Sequence, residues 1–266
     1  YPCTSPFECS FIDYCKGPQT TELPIEWLGG GRSAVEKYNA DDIHDIGDIP
    51  EGYLTNEKRE WMRSVAVSGE PDLKPEAKQE LANIGWPRYY FDFETVGPAV
   101  PKFAGTRPYG SYAFQWSCHI QQDADQSEAE LEHIEFLASG KATPARETAE
   151  AMIKALGTKG PILVYSSFEK GVIKGFIEAF PDIAEELNAI KKRLFDLLPV
   201  TQRNYYHPDM KGSWSIKAVL PTVSDLSYDD LSLVTAGTEA GIRWLEMIAD
   251  GVDATRKLEL EEALLE

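Results

Sequence analysis

Hydrophobic and polar positions alternate along three stretches in the middle of the chain. The period is two residues over 89–95 (YYFDFET), 109–119 (YGSYAFQWSCH) and 131–137 (LEHIEFL). Successive side chains of a strand point to opposite faces of a sheet, so this alternation predicts three strands. Residues 161–166 (PILVYS) form a short apolar run instead, which predicts a strand buried on both faces.

Helical patterns surround these strands. An amphipathic helix is predicted over 143–156, and two more over 168–180 and 181–193, separated at Pro181. Upstream, Thr55 or Asn56 is a predicted N-cap, and a short helix is predicted over 75–84. Residues 213–266 are predicted to be mostly helical. The order strand, strand, strand, helix, strand, helix is typical of an α/β domain with a mixed sheet flanked by helices.

The length and composition of the chain indicate its domain organisation. The 266 residues are 42% hydrophobic, which suits one or two domains with a real core. No apolar run approaches the roughly 18 residues that span a bilayer, and no signal peptide is recognisable, so we expect a cytoplasmic protein. The first residue is Tyr1 rather than Met, and we expect a piece of a longer protein. We predict a cysteine-rich segment at 1–20, a small helical linker at 21–85 and the α/β domain at 86–266.

The net charge is −18, from 44 acidic and 26 basic residues. This charge argues against general adhesion to nucleic acid, because proteins that bind phosphates non-specifically are usually basic. An enzyme that holds a nucleic-acid end through metal ions and a local basic patch remains compatible with it.

Two carboxylates interrupt the apolar stretch YYFDFETVGP. In a strand, Asp92 and Glu94 point the same way, while Phe91 and Phe93 point the other way. Two like charges about 4 Å apart repel by roughly 4 kcal/mol at an effective dielectric constant near 20. Either one acid is protonated, or a cation lies between them, or this end of the strand is open to water.

Two further acids follow predicted elements of the sheet. Glu169 lies in the first turn of the helix after the buried strand, and Asp196 lies among apolar residues after a helix. Helix capping would explain Glu169, and a turn or an N-cap would explain Asp196. Together with Asp92 and Glu94 they also fit a site for a hard cation, Mg²⁺ or Mn²⁺, and a nuclease that uses metal-activated water.

The ordered motifs FDFET, VYSSFEK and an acid ahead of a Ser-Ile-Lys helix resemble the DEDD 3′–5′ exonuclease superfamily, which has a ribonuclease H-like fold. From about Trp86 to Glu266 the chain also resembles the bacterial family described as domain of unknown function 2779, most specifically in YYHPDMKGSWSIK. The resemblance implies that Asp92, Glu94 and Glu169 bind the metal ions and that Asp196 supports them.

The chain departs from the superfamily pattern in three places. Glu169 lies where the superfamily usually has Asp, and Ser166 lies near a usual Asn. The final motif, a Tyr or His shortly before an Asp on a C-terminal helix, has no match, so either the chain is cut just short of it or the activity is lost. We therefore expect a weakened metal site in this chain.

Basic and aromatic residues near these motifs are candidates for contacts with a nucleic-acid strand. Arg203 and Lys217 are predicted to contact phosphates, and four aromatic residues to stack on bases: Phe168, Tyr205, Tyr206 and Trp214. Packing in the core or in turns is the alternative for the aromatic residues. His207, before Pro208, is predicted to be a turn residue.

Three of the four cysteines, Cys3, Cys9 and Cys15, have C-x5-C-x5-C spacing, which fits zinc ribbons poorly. The segment resembles the tail of RecB-like nucleases that hold a [4Fe–4S] cluster. That resemblance implies a fourth ligand upstream of Tyr1 and an upstream nuclease module in the same polypeptide. Cys118 is predicted to be a small core residue.

These features predict a bacterial metal-dependent nuclease domain that cleaves the 3′ end of single-stranded nucleic acid. Two alternatives remain: a catalytically inactive module that binds nucleic acid or a partner protein, and an accessory folding module for the upstream nuclease.

Overall fold

The structure, a computed structural model, describes residues 9–11, 14, 21–140, 142–226 and 237–265. The chain forms two compact units, each assembled from separate stretches of sequence. Unit 1 comprises Tyr1–Lys74 and Tyr205–Val223, and unit 2 comprises Pro75–Asn204 and Ser224–Glu266. The predicted functional boundaries at residues 20 and 85 stay predictions.

In the described residues the strands, in chain order, are β1 (Asp72–Leu73), β2 (Arg88–Val96), β3 (Tyr112–Gln121), β4 (Glu132–Leu137), β5 (Ile162–Val164), β6 (Leu194–Asp196) and β7 (Tyr205–Tyr206). The α-helices are α1 (Gly31–Ala40), α2 (Glu57–Ser68), α3 (Glu76–Ala82), α4 (Ala145–Leu156), α5 (Phe168–Ala179), α6 (Ala184–Arg193), α7 (Leu197–Asn204), α8 (Ile216–Val223), α9 (Gly237–Met247) and α10 (Ala254–Leu265).

Unit 2 is built on a five-stranded mixed sheet with strand order β4-β3-β2-β5-β6. Strands β2, β3 and β4 are consecutive and antiparallel, whereas β5 and β6 run parallel to β2. The helical connections explain the change of direction, because parallel neighbours need a crossover. The predicted α/β class with a mixed sheet flanked by helices is confirmed, and the topology is consistent with a ribonuclease H-like fold.

One face of the sheet carries the main core. Phe91 and Phe93 of β2 pack with Trp116 of β3 and with the buried faces of helices α4, α5 and α6. On α4 the buried positions recur every three or four residues, so the helix presents one stripe to the sheet. Strand β5 is buried throughout, as its continuous apolar run predicts.

Arg193, the last residue of α6, organises the loop between α4 and β5. Its guanidinium donates to the carbonyl oxygens of Leu156, Gly157 and Gly160 at 3.0, 2.6 and 2.6 Å, and also to that of Lys159. Arginine suits this role because its planar fork offers five donors. The loop that leads into β5 is therefore tied to the residue that leads into β6.

The C-terminal helices α9 and α10 cover the far end of β2 and β3. Trp244 of α9 is fully buried, stacks on Phe114 with ring centroids 4.8 Å apart, and donates from Nε1 to the oxygen of Ala138 at 2.7 Å. A Cβ at Gly241 would lie 3.3 Å from Val96 Cγ2, so glycine permits the close approach of α9 to β2.

Unit 1 is mostly helical, with β1 and β7 forming a small antiparallel ribbon in which Asp72 pairs with Tyr206. Asn56 is the N-cap of α2, as predicted, and accepts from the Arg59 amide at 3.0 Å. Tyr206 and Met210 are fully buried, and Trp214 is buried beside them.

Two short strand pairings lay outside the sequence prediction. Asp196 was expected in a turn or at an N-cap, whereas it ends the three-residue strand β6. The capping expectation still holds, because its carboxylate accepts from the Leu198 amide at 2.9 Å. The β1–β7 ribbon has only two residues on each strand, too few to show an alternating pattern. Among the described residues, no helix is both long and apolar enough to span a bilayer.

We expect Trp244→Ala to lower the free energy of unfolding by about 3–5 kcal/mol, because the cavity would open in the cluster that joins α9 to β3. Trp244→Phe should cost less, since it keeps an aromatic ring and loses mainly the Nε1 hydrogen bond. Urea denaturation of both variants measures the difference. An Ala variant as stable as the original protein would show that α9 does not support the sheet.

Candidate functional site: a carboxyl cluster at the edge of the sheet

The acids of unit 2 are positioned by the ends of its parallel strands. Tyr90 of β2 pairs with Leu163 of β5, and Val164 of β5 pairs with Asp196 of β6. This register brings Asp92, the start of α5 and Asp196 to the same edge of the sheet. Ligands of open α/β sheets bind in crevices outside the carboxyl ends of parallel strands.

Asp92 and Glu169 form a carboxyl pair at this edge. Their carboxyl groups lie close enough to act on each other's pKa, and a hydrogen bond between two carboxyl groups requires that one of them carries a proton. The pKa of Glu169 is raised to about 8, mainly by burial and also by the negative charge of Asp92, against the effect of a hydrogen bond from the Glu169 amide. Near neutral pH the pair is therefore one carboxylic acid and one carboxylate.

The two members of the pair differ in their access to solvent. Glu169 is 3% exposed, whereas part of the Asp92 side chain contacts water. The surroundings of Asp92 still raise its pKa through burial, while hydrogen bonds from Glu169 and from the Phe93 amide oppose that change. Glu169 is thus the buried acid that retains the proton, and Asp92 is the partner that faces an approaching ligand.

Glu169 has an unsatisfied atom. Its Oε2 is buried and has no hydrogen-bond partner among the described residues. The negative charge of Asp196 also acts on Glu169 and raises its pKa, so the acid at the end of β6 belongs to the same electrostatic cluster. A buried oxygen without a donor is costly, by about 1–3 kcal/mol in mutational data, and it marks a position where a donor or a cation would be stabilised.

Glu94 lies two residues beyond Asp92 on β2 and is half-buried. By strand alternation its side chain leaves the same face of the strand. Its register partner on β3 is Gln115, whose amide donates to the Leu264 oxygen of α10. In this conformation no three His, Cys, Asp or Glu side chains of the described residues are grouped so that they could hold a metal ion.

The turn that delivers Glu169 has an unusual backbone. Ser166 follows β5 after one residue and has a φ of +152°. Residues other than glycine rarely adopt this backbone conformation. Its Oγ accepts from the Phe168 amide at 3.1 Å, and the Phe168 ring is 43% exposed next to Glu169. The ring is therefore accessible to solvent, and its role as a substrate contact stays a prediction.

Polar residues on β3 and β4 extend the site, although sequence reasoning did not identify them. Ser117 is the register partner of Asp92, and its Oγ lies 2.9 Å from His133 Nε2. His133 stacks on His119 with ring centroids 4.4 Å apart. Burial and the neighbouring His133 lower the pKa of His119. Alternation within β3 and β4 predicts which of their residues share a face. The register of β2, β3 and β4 is needed to show that Ser117, His119 and His133 lie beside Asp92.

The other predicted substrate contacts lie on other elements, and two of them belong to unit 1. Arg203, on α7 of unit 2, is ion-paired with Glu80. Trp214 and Lys217 belong to unit 1. Trp214 Nε1 donates to the Tyr205 oxygen at 3.0 Å, and the ring packs against Tyr206 with centroids 5.1 Å apart.

These contacts favour the core-packing alternative for Trp214 and Tyr206. Lys217 is exposed on α8. His207 is a turn residue, as predicted, with Nδ1 accepting from the Asp209 amide at 3.1 Å.

Most of the cysteine segment lies outside the described residues, including Cys3 and Cys15. Cys9 is described as a half-buried free thiol. Cys118 is fully buried in the main core, as predicted, and burial raises the pKa of its thiol to about 12. It therefore acts as an inert apolar residue.

A known family model matches the middle of the chain. Residues 89–215 match the family described as Domain of unknown function (DUF2779). The predicted resemblance to this family is confirmed over these residues, which include Asp92, Glu94, Glu169 and Asp196. No curated protein and no solved structure gave a significant match.

The carboxyl pair predicts a dependence of stability on pH. Between the ordinary pKa of a glutamate and about 8, folded Glu169 keeps a proton that the unfolded chain has lost. The corresponding stability is complete at low pH and is lost as the pH rises to about 8, by about 1.4 kcal/mol for each pH unit in the linkage limit. Glu169→Gln removes this titration, so the variant should gain stability relative to the original protein between pH 5 and pH 8.5.

Urea denaturation across this pH range measures the effect. Glu186→Gln, an exposed change in the first turn of α6, is the matched control and should follow the original protein. If the free energy of unfolding depended on pH in the same way for the Glu169 variant and the control, Glu169 would not hold a proton in the folded state.

Proposed function

We propose that unit 2 is a metal-dependent 3′–5′ exonuclease-type domain of the ribonuclease H-like DEDD superfamily that hydrolyses nucleic-acid phosphodiesters. The observation that carries the proposal is the buried Glu169 carboxyl group, with one unpartnered oxygen, hydrogen-bonded to the accessible Asp92 at the carboxyl edge of the sheet. The family that matches this segment has no assigned function, so the match does not bear on the activity.

The donor set fits a hard cation. Carboxylate oxygens are the preferred ligands of Mg²⁺ and Mn²⁺, and the unpartnered Glu169 Oε2 would gain a partner. Asp92, Glu94 and Glu169 would hold the ions, with Asp196 near Glu169. A bound divalent cation supplies an activated water and neutralises charge on the leaving oxygen.

The chain's own residues would prepare the reaction in three ways. Glu169 must release its proton before it can bind a cation, and Asp92 is the neighbouring base that receives the hydrogen bond. The exposed Phe168 ring would stack on a base beside the acids. The strained turn at Ser166 fixes the start of α5, and hence the direction from which Glu169 reaches the edge.

A catalytically inactive binding module is the second candidate. It is favoured by the absence, among the described residues, of three potential ligands grouped for a metal ion. The Glu169 departure from the superfamily pattern points the same way. On this view the proton on Glu169 is permanent, and the carboxyl pair is a hydrogen-bonding group rather than a metal site.

The larger assembly is also a proposal. The resemblance of the cysteine segment to RecB-like nucleases suggests that an upstream nuclease module and a [4Fe–4S] cluster accompany this domain in the full-length protein. Cys9 is the one cysteine of that segment within the described residues, so its contribution rests on sequence alone.

With Mn²⁺ present, the protein should shorten a 5′-labelled single-stranded oligonucleotide from its 3′ end. Asp92→Asn and Glu169→Gln should each lower the rate at least 100-fold, because each removes a negative metal ligand. Glu186→Gln is the matched control and should leave the rate unchanged. Equal product ladders from the original protein and Asp92→Asn would exclude the acid pair as the catalytic site.

Mn²⁺ should also raise the melting temperature, and the increase should be larger at pH 8 than at pH 6. Ligand binding stabilises the folded state, and the cation must displace the proton from Glu169. Thermal denaturation with and without Mn²⁺ measures this, with Asp92→Asn expected to abolish the increase. A melting temperature that ignores Mn²⁺ at both pH values would favour the inactive binding module.

A further inference from the structure

The connection between β2 and β3 is unusually long for neighbouring antiparallel strands. It runs over residues 97–111, here called the β2–β3 loop, between Val96 and Tyr112. Antiparallel neighbours are commonly joined by about 2–5 residues, and loops longer than about 12 residues in ordered domains are usually functional. The loop begins directly after the strand that carries Asp92 and Glu94.

Hydrogen bonds and one buried side chain give this loop a fixed shape. The Tyr109 amide donates to the Pro98 oxygen at 2.9 Å and closes the loop at its base. Thr106 Oγ1 donates to the Phe103 oxygen at 2.6 Å, and the Arg107 amide donates to the Tyr112 hydroxyl at 3.1 Å. Phe103 is buried 5.9 Å from the Trp244 ring. This is the form of a compact Ω-loop.

The outer surface of the loop is cationic and aromatic. The stretch 97–111 contains Lys102 and Arg107 but no Asp or Glu, in a chain of net charge −18. Both cations are exposed, and neither side chain has an ion-pair or hydrogen-bond partner among the described residues. Tyr109 is 75% exposed and is held at φ +55°, a conformation that suits glycine better than tyrosine.

A bulky side chain in a left-handed conformation is a genuine outlier, and such strain concentrates at binding sites. Glycine would adopt the conformation at position 109 without the steric cost that tyrosine meets. An exposed aromatic ring with two unpaired cations on an ordered loop has the chemistry that binds single-stranded nucleic acid. Cations contact phosphates, and bases stack on the ring.

We propose that the β2–β3 loop, which follows the strand that carries Asp92 and Glu94, is the binding element for single-stranded nucleic acid, with Lys102 and Arg107 contacting phosphates and Tyr109 stacking on a base. The proposal rests on the proposed function for its substrate class. It also accounts for how so acidic a chain holds a polyanion: the acids at the sheet edge repel phosphates, and the acid-free loop supplies the local attraction.

Binding is measured with a fluorescein-labelled single-stranded oligonucleotide of DNA or RNA in EDTA, so that no metal contributes. Lys102→Ala combined with Arg107→Ala should weaken binding at least tenfold. It should also reduce the slope of log K against log salt concentration by about 1.4, since each phosphate contact to a single strand contributes about 0.7. Lys154→Ala combined with Lys159→Ala removes the same charge from α4 and the α4–β5 loop and should change neither quantity.

Tyr109→Gly tests the stacking contact without endangering the fold. It removes the ring and suits the φ of +55°, so the melting temperature should stay equal or rise. Oligonucleotide binding should weaken about tenfold, while Tyr109→Phe should bind like the original protein. A stabilised glycine variant with weakened binding cannot be explained by misfolding.

Unchanged binding in the loop variants, or equal losses in the loop and the α4 double variants, would overturn the proposal. An original protein that binds no oligonucleotide would overturn it too and would favour a protein partner for this surface. The proposed function fails separately: if Asp92→Asn and the original protein are equally inactive with Mn²⁺ but the loop variants still lose binding, the loop proposal stands without the nuclease.

Discussion

The hydrogen bond between the carboxyl groups of Asp92 and Glu169 is the contact on which the functional interpretation of unit 2 depends. It joins the antiparallel half of the sheet to the helix that follows β5, and it exists in this form only while one proton is shared. A fold optimised for stability alone would replace a buried acid with an apolar or amide residue. The buried Glu169 carboxyl group, with an oxygen that no described residue satisfies, is therefore the main support for the proposed site.

The two faces of the sheet around this pair differ: one is apolar and packed, and the other carries polar residues. Aromatic and aliphatic side chains fill the face of the sheet beneath α4, α5 and α6. The polar row of Ser117, His119 and His133 occupies the face on which Asp92 lies. At the opposite end of the parallel strands, the Arg193 guanidinium fixes the turn before β5. The carboxyl end of the parallel strands, which carries the acids, is therefore supported by the core beneath the sheet and by the Arg193 contacts at the other end.

Much of this arrangement could be predicted from sequence because it follows from periodicity. Alternation in β2 placed Asp92 and Glu94 on one face, and the order of elements gave the mixed sheet. Short pairings escaped, since β6 has three residues and the KRLFDLLPV stretch around it has no alternation to detect. The His119–His133 pair depends on cross-strand register, which a single strand does not encode. The shape of the β2–β3 loop depends on turn hydrogen bonds and on Phe103 burial, which no periodic pattern signals.

The discontinuity of unit 1 has a consequence for the order in which the molecule can assemble during translation. Strand β1 ends at Leu73, but its partner β7 begins only at Tyr205, after the whole five-stranded sheet has been encoded. The early part of the chain must therefore leave the ribosome with an unpaired strand and wait while a later segment folds. A nascent chain that ends before residue 205 lacks β7, so the β1–β7 ribbon can form only after the whole five-stranded sheet has been translated.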